Sequence, residues 1–146
     1  MARNYHQGLY EVKNKAKYIG TKAPTFRSAW EKVFMEWADR SNGVLRWGSE
    51  INSIEYFDPV QNKKRRYYPD FFLEYMTRDG EIKVEIIELK PFSQTSPPQK
   101  GRKKKETYLE EQATFCTNTA KWLAAEAYAK SKGIGFRIIT ERSLFR

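Results

Sequence analysis

Residues 67–91 read YYPDFFLEYMTRDGEIKVEIIELKP. YYPDFFLEYM (67–76) and IKVEIIELKP (82–91) read as strands flanking Asp79-Gly80, a dipeptide that favours a tight hairpin turn. Pro69 marks a local irregularity within the first run, and Pro91 ends the second. Side chains alternate along a strand, so Glu88 and Lys90 project to one face on neighbouring pleats. Asp70 and Glu88 each lie about nine residues from the turn centre, so pairing outward from the turn sets them level. Two carboxylates and a lysine then converge. Oxygen donors of this kind suit a hard cation such as Mg²⁺, which is held by one or two carboxylates, waters and phosphate oxygens.

Working outward, TFRSAWEKVFMEWADRSNG (25–43) predicts a first helix. Phe26, Trp30, Val33, Phe34 and Trp37 form its apolar stripe, Thr25 or Ser28 can cap its start, and Asn42-Gly43 stops it. VLRW with INSIEYFDPV (44–60) is strand-like, and NKKRR (62–66) reads as a polar, basic turn. SQTSPPQKGRKKK (93–105) is a long loop rich in proline, glycine and base. A second helix is expected from Glu106 or Thr107 to Lys132, with Leu109, Ala113, Cys116, Ala120, Leu123 and Ala127 as its buried stripe. GFRIITE (135–141) is a last strand. A helix between two strands implies a parallel pair, so the fold class is α/β, with a central mixed sheet flanked by helices in the order α-β-β-β-α-β. Residues 1–24 read as a basic arm, ordered only where it lies on the domain or on a ligand, and residues 25–146 as a single domain.

Lys and Arg number 27 against 18 Asp and Glu among 146 residues, a net charge of +9. Such a basic chain is expected to meet an anionic partner, most often nucleic acid. A single cysteine, Cys116, excludes an internal disulfide framework and a cysteine zinc cluster. The only histidine, His6, lies near the terminus, which argues against histidine-based acid–base chemistry. No run is long enough for a membrane span, and the N-terminus lacks an apolar signal region, so an intracellular protein is expected.

Pro-Asp followed by Glu-x-Lys after a hairpin resembles the signature of the PD-(D/E)-x-K nuclease superfamily, with its restriction-endonuclease-like core. FRSAWEKVFMEWAD, RRYYPDFFLEY, IIELKP, NTAKW and FRIITE together resemble the head-completion nucleases of tailed bacteriophages, over roughly residues 17–146. The nuclease domain of TnsA-type transposases is a more distant likeness. The resemblance implies a Mg²⁺- or Mn²⁺-dependent DNA endonuclease acting in virion assembly, in the host cytoplasm and in association with the virion, with DNA and other phage head or neck proteins as partners. It implies that Asp70, Glu88 and the backbone carbonyl of Leu89 bind metal and that Lys90 orients the attacking water. Glu31 would complete the site. Gln112, Asn118 and Lys121 stand where some relatives place a further polar residue.

Glu31 has a second reading. Ser28-Ala-Trp-Glu31 is a capping box. A helix starting at Thr25 would place Ser28 inside it, and the site role is preferred on that ground. Lys63, Lys64, Arg65 and Arg66, and the later group Lys100, Arg102, Lys103, Lys104 and Lys105, are expected to grip phosphates rather than merely solubilise. The four tryptophans are expected in the core, and Cys116 as an inert buried thiol. Two rival functions remain: a non-catalytic head-completion or DNA-end-binding protein with a vestigial site, and a transposase or repair nuclease subunit.

Overall fold

The computed structural model describes residues 7–144, so His6 lies outside the described residues. The chain runs through β1 (Gly8–Leu9), β2 (Tyr18–Ile19), β3 (Thr25–Phe26), α1 (Ala29–Arg40), β4 (Val44–Ser49), β5 (Ile54–Asp58) and β6 (Lys63–Tyr67). It continues through β7 (Phe71–Met76), β8 (Ile82–Leu89), a 3-10 turn (Phe92–Gln94), α2 (Lys105–Lys132), β9 (Gly135–Ile139) and α3 (Glu141–Leu144). The architecture is mixed α/β around a five-stranded sheet of order β2-β4-β7-β8-β9. Strands β4, β7 and β8 form the antiparallel centre, β9 lies parallel to β8, and β2 lies parallel to β4.

The hairpin at Asp79-Gly80 forms as expected. Gly80 takes φ +85°, a left-handed conformation that glycine adopts without cost, and its amide closes the turn on the Thr77 carbonyl at 3.0 Å. Beyond it, β8 is buried on both faces. Ile87 and Leu89 join Phe34, Met35 and Ala38 of α1, Trp47 and Phe71 in one core. Ile86 joins Ile54, Tyr56, Tyr67 and Ala125 in the other. Phe34 stacks on Phe71 with centroids 4.3 Å apart, fastening α1 to the sheet. Burying either isoleucine contributes on the order of 2 kcal/mol, so the two anchor β8.

Several expectations are corrected. The basic run NKKRR is not a turn: Lys63–Tyr67 forms β6, paired antiparallel with β5 in a separate two-stranded ribbon. A charged strand is tolerated there because Lys63 to Arg66 all remain exposed and only Tyr67 enters the core. The turn falls earlier, at 59–62, where buried Asp58 accepts the Val60 amide at 2.9 Å and Asn62 is left-handed at φ +55°. α1 begins at Ala29 rather than Thr25, because Ser28 is its cap and Thr25–Phe26 pairs with β1. Its buried residues are Phe34, Met35, Ala38 and Asp39, while Val33 and Trp37 are exposed.

α2 turns a different face inward from the one expected. Asn118, Ala125 and Ala129 are buried and Trp122 packs on the core, whereas Leu109, Leu123, Ala127 and Cys116 are exposed. The row 118, 122, 125, 129 has the same 4,3,4 spacing as the stripe read from the sequence. With alanines on several faces, periodicity alone does not choose between them. Residues 7–24 lie on the domain: β2 extends the sheet, and Tyr10 and Val12 enter the α1 core.

Candidate active site

The site lies at the C-terminal end of β8. Phe71 pairs with Ile87, which brings Asp70, the residue before β7, alongside Glu88. The Leu89 amide donates to Asp70 Oδ2 at 2.8 Å, and among the described residues Asp70 Oδ1 receives no protein hydrogen bond. Glu88 and Lys90 share one face, as alternation requires: Lys90 Nζ stands 3.5 Å from Glu88 Oε2. The opposite oxygen, Glu88 Oε1, accepts from the Tyr67 hydroxyl at 2.7 Å. Tyr67 and Glu88 are both buried.

Too much negative charge meets here for the donors present. Burial, then the facing Glu88 and the more distant Glu31, raises the Asp70 carboxyl to about 8, against the lowering pull of the Leu89 amide and Lys90. Glu31 is raised too, first by burial and then by Glu50 and Glu88, with the Arg27 amide and Arg27 charge opposing. Its role as a cap is real: its amide is taken by Ser28 Oγ at 3.1 Å, and its Oε1 accepts the Arg27 amide at 2.8 Å. Both features expected of Glu31, the cap and proximity to the acidic pair, are therefore present in one residue.

Among the described residues no three carboxylate, histidine or cysteine side chains form a ready-made metal cluster. The donor set is nonetheless hard and oxygen-only, with one Asp70 oxygen unclaimed and Lys90 standing beside Glu88. Such a site fits a divalent cation of the Mg²⁺ class better than a soft metal. The contact made by Leu89 is through its amide, to Asp70.

Of the helix residues expected nearby, Lys121 approaches the site. Its Nζ lies 5.5 Å from the Tyr67 ring centroid and 5.9 Å from that of Tyr56. Burial lowers its pKa, opposed by the attraction of Glu88. Asn118 is buried one turn earlier and lines a cavity of about 750 Å³ that opens beside Phe92 and Ser93, just past Lys90. Gln112 is exposed and donates to Tyr108 at 3.2 Å, away from the carboxylates.

The two basic groups occupy different surroundings. Lys63, Lys64, Arg65 and Arg66 line β6, which runs directly into Tyr67. Arg65 is committed inward, 3.3 Å from Asp58 Oδ2, whose other oxygen takes Thr117 of α2 at 3.2 Å. Lys100, Arg102, Lys104 and Lys105 are exposed along the loop and start of α2, and Lys103 pairs with Glu111 at 2.6 Å beside the cavity. Tyr67 is the site residue that the sequence did not reveal. The sequence reads Tyr67 as the start of a 67–76 strand; instead it ends β6, in a separate ribbon, and its hydroxyl reaches Glu88 from there.

Residues 41–141 match the family model described as TnsA-like endonuclease, N-terminal. The chain is also similar to the head completion nuclease of Enterobacteria phage T4, with 40% identity over 144 residues, covering 95% of this chain and 93% of that protein.

Proposed function

The chain belongs to the TnsA-like endonuclease N-terminal family and is a homologue of a phage head completion nuclease, and from that premise we propose that it is a divalent-metal-dependent endodeoxyribonuclease acting on packaged DNA during head completion. The observation that carries this reading is the convergence of Asp70 and Glu88 on adjacent strands, with Lys90 on the Glu88 face at 3.5 Å. The family supports a restriction-endonuclease-like core.

Asp70 Oδ1 and Glu88 would hold Mg²⁺ or Mn²⁺, with Glu31 and the Leu89 carbonyl as further oxygen donors. A cation there would supply charge neutralisation at the phosphate and a more acidic water. The chain's own groups do the rest. Leu89's amide fixes Asp70 through Oδ2 and leaves Oδ1 free. Lys90 donates to the attacking water and to the phosphate oxygen on which negative charge grows. Lys63, Lys64 and Arg66 of β6 and the exposed residues of the 100–105 segment hold flanking phosphates, while Arg65 stays paired with Asp58.

The reading is tested by nicking of supercoiled plasmid with Mn²⁺ or Mg²⁺. Wild type is expected to cleave and Lys90→Ala to lose at least about a hundredfold in rate. Equal cleavage by both proteins removes the mechanism. Absence of cleavage by folded wild type, with DNA binding retained, favours the non-catalytic end-binding role instead.

A further inference from the structure

We propose that Tyr67 is a positioning residue for metal binding: its hydroxyl fixes one oxygen of Glu88 so that the carboxylate presents its remaining lone pairs toward Asp70. The proposal rests on the metal-site reading above and adds a residue from outside the Asp/Glu/Lys set.

The geometry is specific. A carboxylate accepts only, so the Tyr67 O–H is the donor in the 2.7 Å bond to Glu88 Oε1. The second oxygen faces Lys90, a longer and more flexible contact at 3.5 Å. Of Glu88's two partners, the tyrosine is therefore the rigid one. Its ring is held in turn: Tyr56 meets it edge-on with centroids 6.4 Å apart and an interplanar angle of 82°, and Lys121 Nζ lies over it at 5.5 Å. A glutamate left to itself would lose side-chain rotamer freedom of roughly 1.5–2 kcal/mol when a cation ordered it. With Tyr67 in place, that ordering precedes the cation.

A purely structural role would ask only that a buried phenol find some partner. Tyr56 packs in the same cluster, buried to the same degree as a whole residue, and makes no hydrogen bond to a carboxylate among the described residues, so it serves as the control for the neighbouring hydroxyl. Partners that orient metal ligands typically change metal affinity or activity by 10–100-fold when removed.

The test is Tyr67→Phe, which keeps the ring, its packing on Tyr56 and its contact with Lys121. Calorimetric titration of Mn²⁺ into the DNA-free protein should show affinity about tenfold weaker than wild type. The Mn²⁺ concentration giving half-maximal nicking should rise by a similar factor, while the rate at saturating Mn²⁺ recovers to within a few-fold. Metal-free DNA affinity should be unchanged. Tyr56→Phe, which trims the neighbouring hydroxyl, should leave Mn²⁺ affinity unchanged. Mn²⁺ affinity of Tyr67→Phe within twofold of wild type, or an equal loss in Tyr56→Phe, overturns the proposal. Asp70→Asn separates the two levels. If it abolishes Mn²⁺ binding while Tyr67→Phe leaves it intact, only the positioning role fails. If wild type binds no Mn²⁺, both readings fall together.

Discussion

Asp39 and Asp70 flank the same core, one at the end of α1 and one at the start of β7, and their surroundings are opposite. Asp39 is sealed from solvent and saturated with donors: the Tyr10 hydroxyl and Lys13 amide at 2.7 Å each, and the Asn14 amide at 3.0 Å. Burial alone would raise its pKa, yet these donors together hold it below the ordinary carboxylate value. Asp70 has one amide and two neighbouring carboxylates, and its pKa rises to about 8. A carboxylate that the fold uses for stability is given its hydrogen bonds by the fold. One left short of donors, beside other acids, waits for a cation from outside.

The largest expected effect separates the two on activity. Asp70→Ala should abolish plasmid nicking, a loss of at least about a thousandfold if the carboxylate holds the catalytic cation, with the folded state retained. Asp39→Ala should leave the activity of the folded fraction near wild type. Comparable loss of activity in both, measured per folded molecule, would erase the distinction.

Stability should sort them the other way, and by less. Asp39→Ala leaves two part-buried backbone amides and the buried Tyr10 hydroxyl without their acceptor and unpins residues 10–14 from α1. A loss of about 3 kcal/mol is expected in chemical denaturation. A loss under about 1 kcal/mol would mean that water satisfies these donors and that the network is not structural.

The pH dependence of stability follows from the two pKa directions. Asp39 is depressed when folded, so its stabilisation is present above its unfolded value and is lost as pH falls through the folded pKa, in the acid range below about 4. Asp70 is raised when folded. Between about 4 and about 8 the folded protein binds the extra proton, so the metal-free protein should lose stability as pH climbs through that window. Asp70→Asn removes most of that slope. Denaturation of the metal-free protein between pH 5 and 8 should therefore show wild type weakening and Asp70→Asn weakening much less, the remaining slope coming from Glu31, which is also raised. Parallel curves would argue that Asp70 is not strained by its neighbours.

The sequence discloses Asp70, Glu88 and Lys90 because a period-2 strand and an Asp-Gly turn fix both register and facing with purely local rules. Glu31 was ambiguous for a reason that the structure keeps: one side chain both caps α1 and adds charge to the acidic pair. Other features depended on partners distant in sequence. Tyr67 matters through a residue 21 positions away, Asp58 through Thr117 at 59, and Asp39 through a segment more than 20 residues upstream. The buried face of α2 was misread because two rows of small and apolar residues share the helical period, and only the position of the β5–β6 ribbon selects between them.

The smallest expected effect extends the contrast from acids to bases. Along β6, Arg65 resembles Asp39 in being committed to the fold, since it pairs with buried Asp58. Lys64 and Arg66 alternate to the other face of the ribbon; Lys64 makes only an exposed ion pair to Glu55 at 3.7 Å, of the kind worth little. If these two meet DNA phosphates, the Lys64→Ala/Arg66→Ala protein should retain wild-type stability. Its affinity for duplex should decline less steeply with salt, the slope of log K against log salt falling by about 0.9 per lost contact and so by about 1.8. Arg65→Ala should leave that slope nearly unchanged and instead lower the denaturation midpoint. Fluorescence anisotropy across a salt series, in metal-free buffer so that no strand is cut, reads the first quantity, and a denaturant curve reads the second. A slope change carried by Arg65 rather than by Lys64 and Arg66 would mean that DNA binding pulls Arg65 off Asp58, and that its inward commitment gives way when DNA is bound.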